Sequence, residues 1–250
     1  MQRYFVASDN WNQETNEITI KGDDIHHISR VMRNEIKDEI ICIHPDQTIA
    51  RCEIKEIERD FVLCSIITIE HNHYELPVHA SLIQALPKGD KLELIIQKGT
   101  ELGASSFYLY ESERSIAKWN KQKAPKKMTR FNKIIKEAAE QSYREIVPMI
   151  KEPMNLNELI KATKDYSVKL VAYEEEAKSD KPAYSFSEEI SKLKKDEKVV
   201  IFIGPEGGFT SHEIDVLKAA DFLPVKLGNR ILRTETASFY ALSCLSYQFE

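Results

Sequence analysis

Through roughly the first seventy positions, apolar residues alternate with polar ones or run unbroken in short blocks. Ile18–Ile20, Glu39–Ile43, Ile49–Ile57 and Phe61–Ile69 carry this pattern with many β-branched side chains, and polar breaks separate them. Such blocks predict strands. One segment differs: Ile25, Ile28 and Met32 recur at helical spacing, and Asp23 or Asp24 stands where a cap belongs. The other side of that helix carries His26, Arg30 and Arg33, a basic stripe. The pattern breaks at His71–Pro77 and then changes in kind. Val78–Leu86, Phe107–Tyr110, Val168–Tyr173, Val199–Ile203 and Pro224–Leu227 read as strands or extended segments. Between and after them, Asp90–Leu102 (closed by Gly103), Met128–Arg144, Ser187–Lys194, Ser211–Asp221 and Thr236–Gln248 read as helices. Strands alternating with helices predict a mainly parallel sheet covered on both faces. The charged stretch Glu174–Pro182 reads as an exposed loop. The expected division is a β domain over 1–72 and an α/β domain over 73–250.

Composition narrows this picture. An apolar share of 42% in 250 residues suffices for a real core. No apolar run approaches a membrane span, and the opening residues lack a basic start followed by an apolar block. The expectation is a cytoplasmic chain with no membrane partner. Cys42, Cys52, Cys64 and Cys244 show no paired spacing and read as reduced core residues. His71, His73 and His79 have no acidic or cysteine partner to complete a ligand set, so no metal is expected.

The net charge of −5 hides a segregation. Residues 1–70 hold 8 basic and 14 acidic side chains, a balance of 8 − 14 = −6, whereas Arg114–Arg144 holds 10 basic and 2 acidic, 10 − 2 = +8. A clustered basic segment fits a polyanion, and equally fits a solvated helix face. Within it, Lys118, Lys121, Lys123, Lys126, Lys127 and Arg130 are candidate phosphate contacts. Trp119 is available for stacking on a base or for packing.

Two loops carry the chemistry. After Val199–Ile203 comes GPEGGFT, which holds Gly204, Gly207 and Gly208, three of the chain's eight glycines. Pro205 stiffens this turn, and Thr210 with Glu213 three residues on forms a capping-box pattern for the next helix. In open α/β sheets, ligands settle at the carboxyl ends of strands. The loop has neither the Lys-Ser/Thr of a P-loop nor G-x-G-x-x-G, and Glu206 repels phosphate. It suits a neutral or cationic ligand held by backbone groups, or it is a plain tight turn. The second loop, LGNRILRTETA at Leu227–Ala237, crowds Arg230, Arg233 and Glu235 around Ile231 and Leu232. That mixture fits a pocket for a flat aromatic group beside a reactive centre, or a surface turn with a structural Arg–Glu pair.

IGPEGGF followed by LGNRILRTETA, together with KGTELG at Lys98–Gly103 and EAAEQSYR at Glu137–Arg144, resembles the RsmE family, the 16S ribosomal RNA uridine N3-methyltransferases of the SPOUT superfamily. RYFV at the start and HHISRVMR at His26–Arg33 are similar to that family's small N-terminal domain. The resemblance implies a PUA-like β-barrel domain followed by a SPOUT α/β domain whose C-terminal part, about 168–250, is tied in a trefoil knot. It also implies a homodimer and an S-adenosylmethionine site. Transferred by position, that site comprises Ala172, Tyr173, Gly204, Pro205, Glu206, Gly207, Gly208, Leu227, Gly228, Ile231, Leu232, Arg233, Thr236 and Ala237. The implied partner is 16S ribosomal RNA within the small subunit.

Methyl transfer requires the enzyme mainly to position two reactants. Uracil N3 must lose a proton as it attacks, so a guanidinium beside the carbonyl oxygens stabilises the developing anion. Arg233 is the candidate, assisted by Arg3 or Arg30, with Glu235 either the base or the brace of Arg233. Arg3, His26, Arg30 and Arg33, with the basic segment and the Gln141–Arg144 pair, are the candidate RNA contacts. The alternatives are another SPOUT activity, such as ribose 2′-O-methylation, and a non-catalytic RNA-binding or ribosome assembly factor.

Overall fold

The computed structural model describes residues 1–12, 14–71, 74–112, 119–173 and 184–249. The Glu174–Pro182 loop expected from the sequence lies outside them. The chain divides into two compact units, one of Met1–Glu75 with Ala139–Val147, the other of Leu76–Ala138 and Pro148–Glu250.

The first unit is built on a six-stranded sheet. Its strands are β1 (Arg3–Phe5), β2 (Trp11–Asn12), β3 (Glu17–Ile20), β4 (Glu39–Ile43), β5 (Ile49–Ile57) and β6 (Val62–Glu70), in the order β1-β4-β5-β6-β3-β2. All pairings are antiparallel except β1 with β4. Two register shifts between β5 and β6 bend the sheet, since a bulge adds local twist. One face buries Tyr4, Ile18, Ile28, Ile40 and Ile54 together with Cys42, Cys52 and Cys64. The Cys42 thiol touches the other two. Contact with Cys52 and Cys64, and then burial, pushes the Cys42 thiol well above its ordinary value.

The helix expected over Asp23–Met32 is shorter and less regular. Helix α1 (Asp23–His26) runs into a wider π turn, His27–Val31. Its cap is Gly22 at φ 78°, with no side-chain cap from either aspartate. Arg33 lies beyond its end at φ 57°, so the basic stripe is not continuous helix.

The second unit is a parallel sheet of seven strands. In chain order its elements are β7 (His79–Ala85), α2 (Lys91–Glu101), β8 (Ser106–Tyr110), α3 (Ala124–Gln141), β9 (Met149–Met154), α4 (Leu156–Ala162) and β10 (Val168–Ala172). Then follow β11 (Tyr184–Ser185), α5 (Phe186–Ser191), β12 (Lys198–Ile203), α6 (Ser211–Ala219), β13 (Leu223–Lys226) and α7 (Thr234–Phe249). The strand order is β11-β13-β10-β12-β7-β8-β9. Every neighbouring pair is parallel. Alternate residues serve opposite faces. Leu82, Phe107, Leu170 and Ile201 pack with α2, α3, α5 and α7, whereas Ile83, Tyr108, Val171 and Phe202 pack with α4 and α6.

The helix expected at Met128–Arg144 begins four residues earlier, with Pro125 in its first turn, and ends at Gln141. Tyr143 then takes φ 65°. Strand β9 and helix α4 were not expected.

Candidate active site

Register brings three sequence-distant segments together. Ala172 at the end of β10 lies opposite Ile203 of β12 on one side and Val225 of β13 on the other. The chain leaving those strands is therefore Tyr173, the Gly204–Gly208 loop and the Leu227–Ala237 loop, side by side at the carboxyl edge of the sheet. The amide of Tyr173 continues the pairing, donating to the Val225 carbonyl at 3.2 Å. The next strand over is β7, whose Gln84 lies opposite Ile203. Strands β7, β8 and β9 run outward to one side, whereas β12, β10 and β13 lie on the other. That reversal is where open α/β sheets form a crevice.

A buried polar chain pins these loops. Gln84 Nε2 donates to Thr234 Oγ1 at 2.8 Å, and Thr234 Oγ1 donates to the Gly204 carbonyl at 2.8 Å. Ser238 Oγ donates to Gln84 Oε1 at 2.5 Å. Gln84, Thr234 and Ser238 are buried, so one strand, one loop and the start of α7 share a satisfied network. A side chain at Gly204 would have to displace the Phe209 ring, which a Cβ there would meet at 2.8 Å. Gly208, at φ 66°, turns the chain into the cap of α6. There Thr210 and Glu213 form the reciprocal capping box, at 3.1 and 2.6 Å.

Charge enters through a residue that sequence reading missed. Lys91 Nζ lies 3.5 Å from Glu206 Oε1 and 3.1 Å from Glu235 Oε2. The Lys88 amide also donates to Glu206 Oε1, at 3.2 Å. Burial pushes the Glu206 carboxyl up, but its own amide, the Lys88 amide and the Lys91 charge outweigh that and hold it below the ordinary range. Glu235 behaves alike: burial raises it, whereas its own amide, Lys91 and Arg233 bring it down. The direct partner of Glu235 is thus Lys91, where a brace of Arg233 had been considered. Arg233 and Arg230 are exposed, Leu232 is half-buried and Ile231 is 69% exposed. Pro205 and Ala237 are buried, Ala172 and Leu227 half-buried, and Thr236 exposed. Gly228 takes φ 140°.

Beside the Lys91 segment, a cavity of about 290 Å³ is lined by Leu86, Leu92, Phe131, Trp119, Lys127 and Arg130, among others. Trp119 is half-buried against Phe131, with ring centroids 6.3 Å apart, and Lys127 Nζ lies 4.9 Å over its ring. Packing is therefore its role in this structure. Arg130 pairs with Glu93 at 2.6 Å. Lys123, Lys126 and Lys127 are exposed. Lys121 opens a 3₁₀ turn, Lys121–Lys123; Lys118 lies outside the described residues.

In the first unit, His26, Arg30, Arg33 and Gln141 are exposed. Two other candidates need correction. Arg3 is 3% exposed, donates to the Tyr143 carbonyl at 2.9 Å and lies over the rings of Tyr143 and Tyr74 at 4.3 and 4.7 Å. Arg144, also buried, grips Glu75 through Nε at 3.1 Å and Nη2 at 2.5 Å. Arg144 is thus paired bidentately and out of water, and Arg3 is held between two rings and a carbonyl. In this structure both guanidinium groups are buried, where the sequence reading had them exposed for RNA contact. Among the described residues, no group of three or more His, Cys, Asp and Glu is arranged to hold a metal, and no helix is long and apolar enough to cross a membrane.

A parallel sheet with backbone-lined loops converging at its carboxyl edge defines an α/β domain that follows a β domain in the chain, and comparison with known proteins makes the class specific. The family description "RNA methyltransferase domain" matches residues 74–246, and "RNA methyltransferase PUA domain" matches 20–67. The chain is 44% identical to the ribosomal RNA small subunit methyltransferase E of Bacillus subtilis, across 100% of this chain and 98% of that protein. It is 30% identical to the Synechocystis protein of the same name, over 93% of this chain and 74% of that one. A crystal structure of the methyltransferase E from Neisseria gonorrhoeae, bound to S-adenosyl methionine, superposes with a TM-score of 0.82 at 25% identity, covering 99% and 97% of the two chains. The chain belongs to the ribosomal RNA small subunit methyltransferase E family of RNA methyltransferases.

Proposed function

We propose that this protein transfers a methyl group from S-adenosylmethionine to N3 of a uridine in the 16S RNA of the small ribosomal subunit. The observation that carries this reading is the side-by-side exit of Ala172–Tyr173, Gly204–Gly208 and Leu227–Ala237 from adjacent strand ends. The donor set suits the cofactor. Backbone groups of the two loops can hold a neutral aromatic ring, and the paired carboxylates tolerate a cation while repelling a phosphate. Bound there, S-adenosylmethionine supplies an activated methyl group for in-line displacement.

The remaining chemistry belongs to the chain. Arg233, exposed at the mouth of the second loop, places a permanent positive charge where the uracil oxygens gain negative charge. Glu235 is a poor base, since neighbouring donors hold its carboxyl below the ordinary range. Its role is to organise charge, and the N3 proton leaves to solvent. Exposed His26, Arg30 and Arg33 with Lys123, Lys126 and Lys127 supply RNA contacts from residues 1–72, a PUA-like β-barrel domain, and from 73–250, the SPOUT domain. The finer architecture we assign is a trefoil knot within about 168–250 and a cytoplasmic homodimer. Tyr240 and Tyr247, 37% and 81% exposed and one heptad apart on α7, support self-association.

The test is transfer of labelled methyl from S-adenosylmethionine to small subunits from a strain lacking this gene, with nucleoside analysis. Labelled 3-methyluridine is the expected product. Label on a ribose would move the protein to 2′-O chemistry. Absence of label with intact cofactor binding would make it a binding or assembly factor.

A further inference from the structure

We infer that Lys91 is a positioning residue for cofactor binding: its ammonium clasps one carboxylate from each of the two loops and sets the gap between them. The inference rests on the reading that those loops hold S-adenosylmethionine. Glu206 belongs to the first loop and Glu235 to the second, and Lys91, at the start of α2, belongs to neither. Its Nζ lies 3.5 Å from one carboxylate and 3.1 Å from the other. The same segment holds Glu206 a second time through the Lys88 amide, at 3.2 Å. Without a cation between them, the two carboxylates would repel and the loops would part.

Among the described residues, Lys91 is the cation paired with both carboxylates. Arg233 contributes a weaker field at Glu235, behind the amide and both Lys91 effects. The backbone is meanwhile fixed by a separate set of bonds, Gln84 to Thr234 and Thr234 to Gly204. Removing the Lys91 charge should therefore loosen the carboxylate geometry while leaving the buried network closed. That separation makes positioning distinguishable from structural support.

The experiment measures S-adenosylmethionine affinity by calorimetry for the full chain, with melting temperature alongside. Lys91→Met should weaken binding about tenfold, the scale of a lost, partly shielded ion pair, and raise KM for the cofactor more than it lowers kcat. Lys91→Arg should restore most of the affinity. Adding Glu235→Gln to Lys91→Met should recover affinity, because it removes the repulsion that the lysine offsets. Acidification should likewise recover part of the affinity in Lys91→Met, because without the Lys91 charge Glu206 and Glu235 take up protons at higher pH than in the parent and their repulsion is relieved. Unchanged affinity in Lys91→Met overturns the inference. So does a loss that tracks melting temperature, with no recovery from arginine or from Glu235→Gln. A parent chain that does not bind S-adenosylmethionine overturns the function proposed above, and this inference with it.

Discussion

At the scale of single residues, the site is set by side chains with little freedom to change. Gly204 faces the Phe209 ring so closely that a methyl group there would meet it at 2.8 Å. Gly204→Ala is expected to cost about 1–3 kcal/mol, the usual range for overpacking a filled site, and thermal melting measures it. Arg233 is the opposite case, exposed and, among the described residues, without a side-chain hydrogen bond to lose. Arg233→Ala should remove most methyl transfer while melting temperature stays near that of the parent. Unchanged turnover would remove Arg233 from the chemistry. The sequence made the glycine loop and the Arg-rich loop legible because each packs unusual residue types into a few positions. Lys91 was illegible for the converse reason. It meets Glu206 and Glu235 only after folding has brought together segments more than a hundred residues apart, and no local pattern marks it. Arg3 and Arg144 misled for a related reason: charge alone does not show whether a guanidinium faces water, a pair of tyrosine rings or a buried carboxylate.

At the scale of elements, the periodic segments were the readable ones. Strand β12 is an unbroken apolar run from Val199 to Ile203 because both its faces are covered there, and α6 announces itself through Thr210 and Glu213. Substituting Thr210 by Ala should cost about 1 kcal/mol, as for other side-chain caps, and chemical denaturation would show it. Glu213 adds a pH term. Burial raises its carboxyl, but the Thr210 amide, the Tyr110 hydroxyl, the Thr210 hydroxyl and Ser112 together hold it below its ordinary 4.5. The stability it contributes is fully present above 4.5 and is lost as pH falls through its lower folded value. In Glu213→Gln the acid limb of the stability curve should therefore be shallower than in the parent. Strand β9 escaped notice because it is an edge strand, pairing only with β8. An edge tolerates the Lys151, Glu152 and Pro153 that hide the alternation. The signal for α4 was present in Asn155 and Glu158, which form a complete capping box. The π turn at His27–Val31 has no comparable signature.

At the scale of the whole molecule, the two families of contacts differ in reach. The first unit pairs mostly neighbouring strands, whereas the second joins β7 to β12 and β10 to β13 across long stretches of chain. Pairings of high sequence separation must close long loops before they are rewarded, so the second unit should be the slower to form. The proposed assembly is testable at the same scale. Tyr247→Glu places a charge on the exposed stripe of α7, and sedimentation velocity should then show monomers where the parent sediments as a dimer. A dimer that survives the change would locate self-association elsewhere.

The cluster of Cys42, Cys52 and Cys64 in the first unit has a practical consequence. All three thiols are shut away from solvent, whereas Cys244, the fourth and in the second unit, is partly open. Cys244 shares the α7 face of Tyr240 and Tyr247, so a maleimide should reach it first wherever two α7 faces are apart. The other three should be modified only when the sheet around them opens. Their labelling rate then becomes a gauge of how often the first unit breathes, read by mass spectrometry without a single substitution, and comparing it with and without RNA would reveal whether docking tightens that unit.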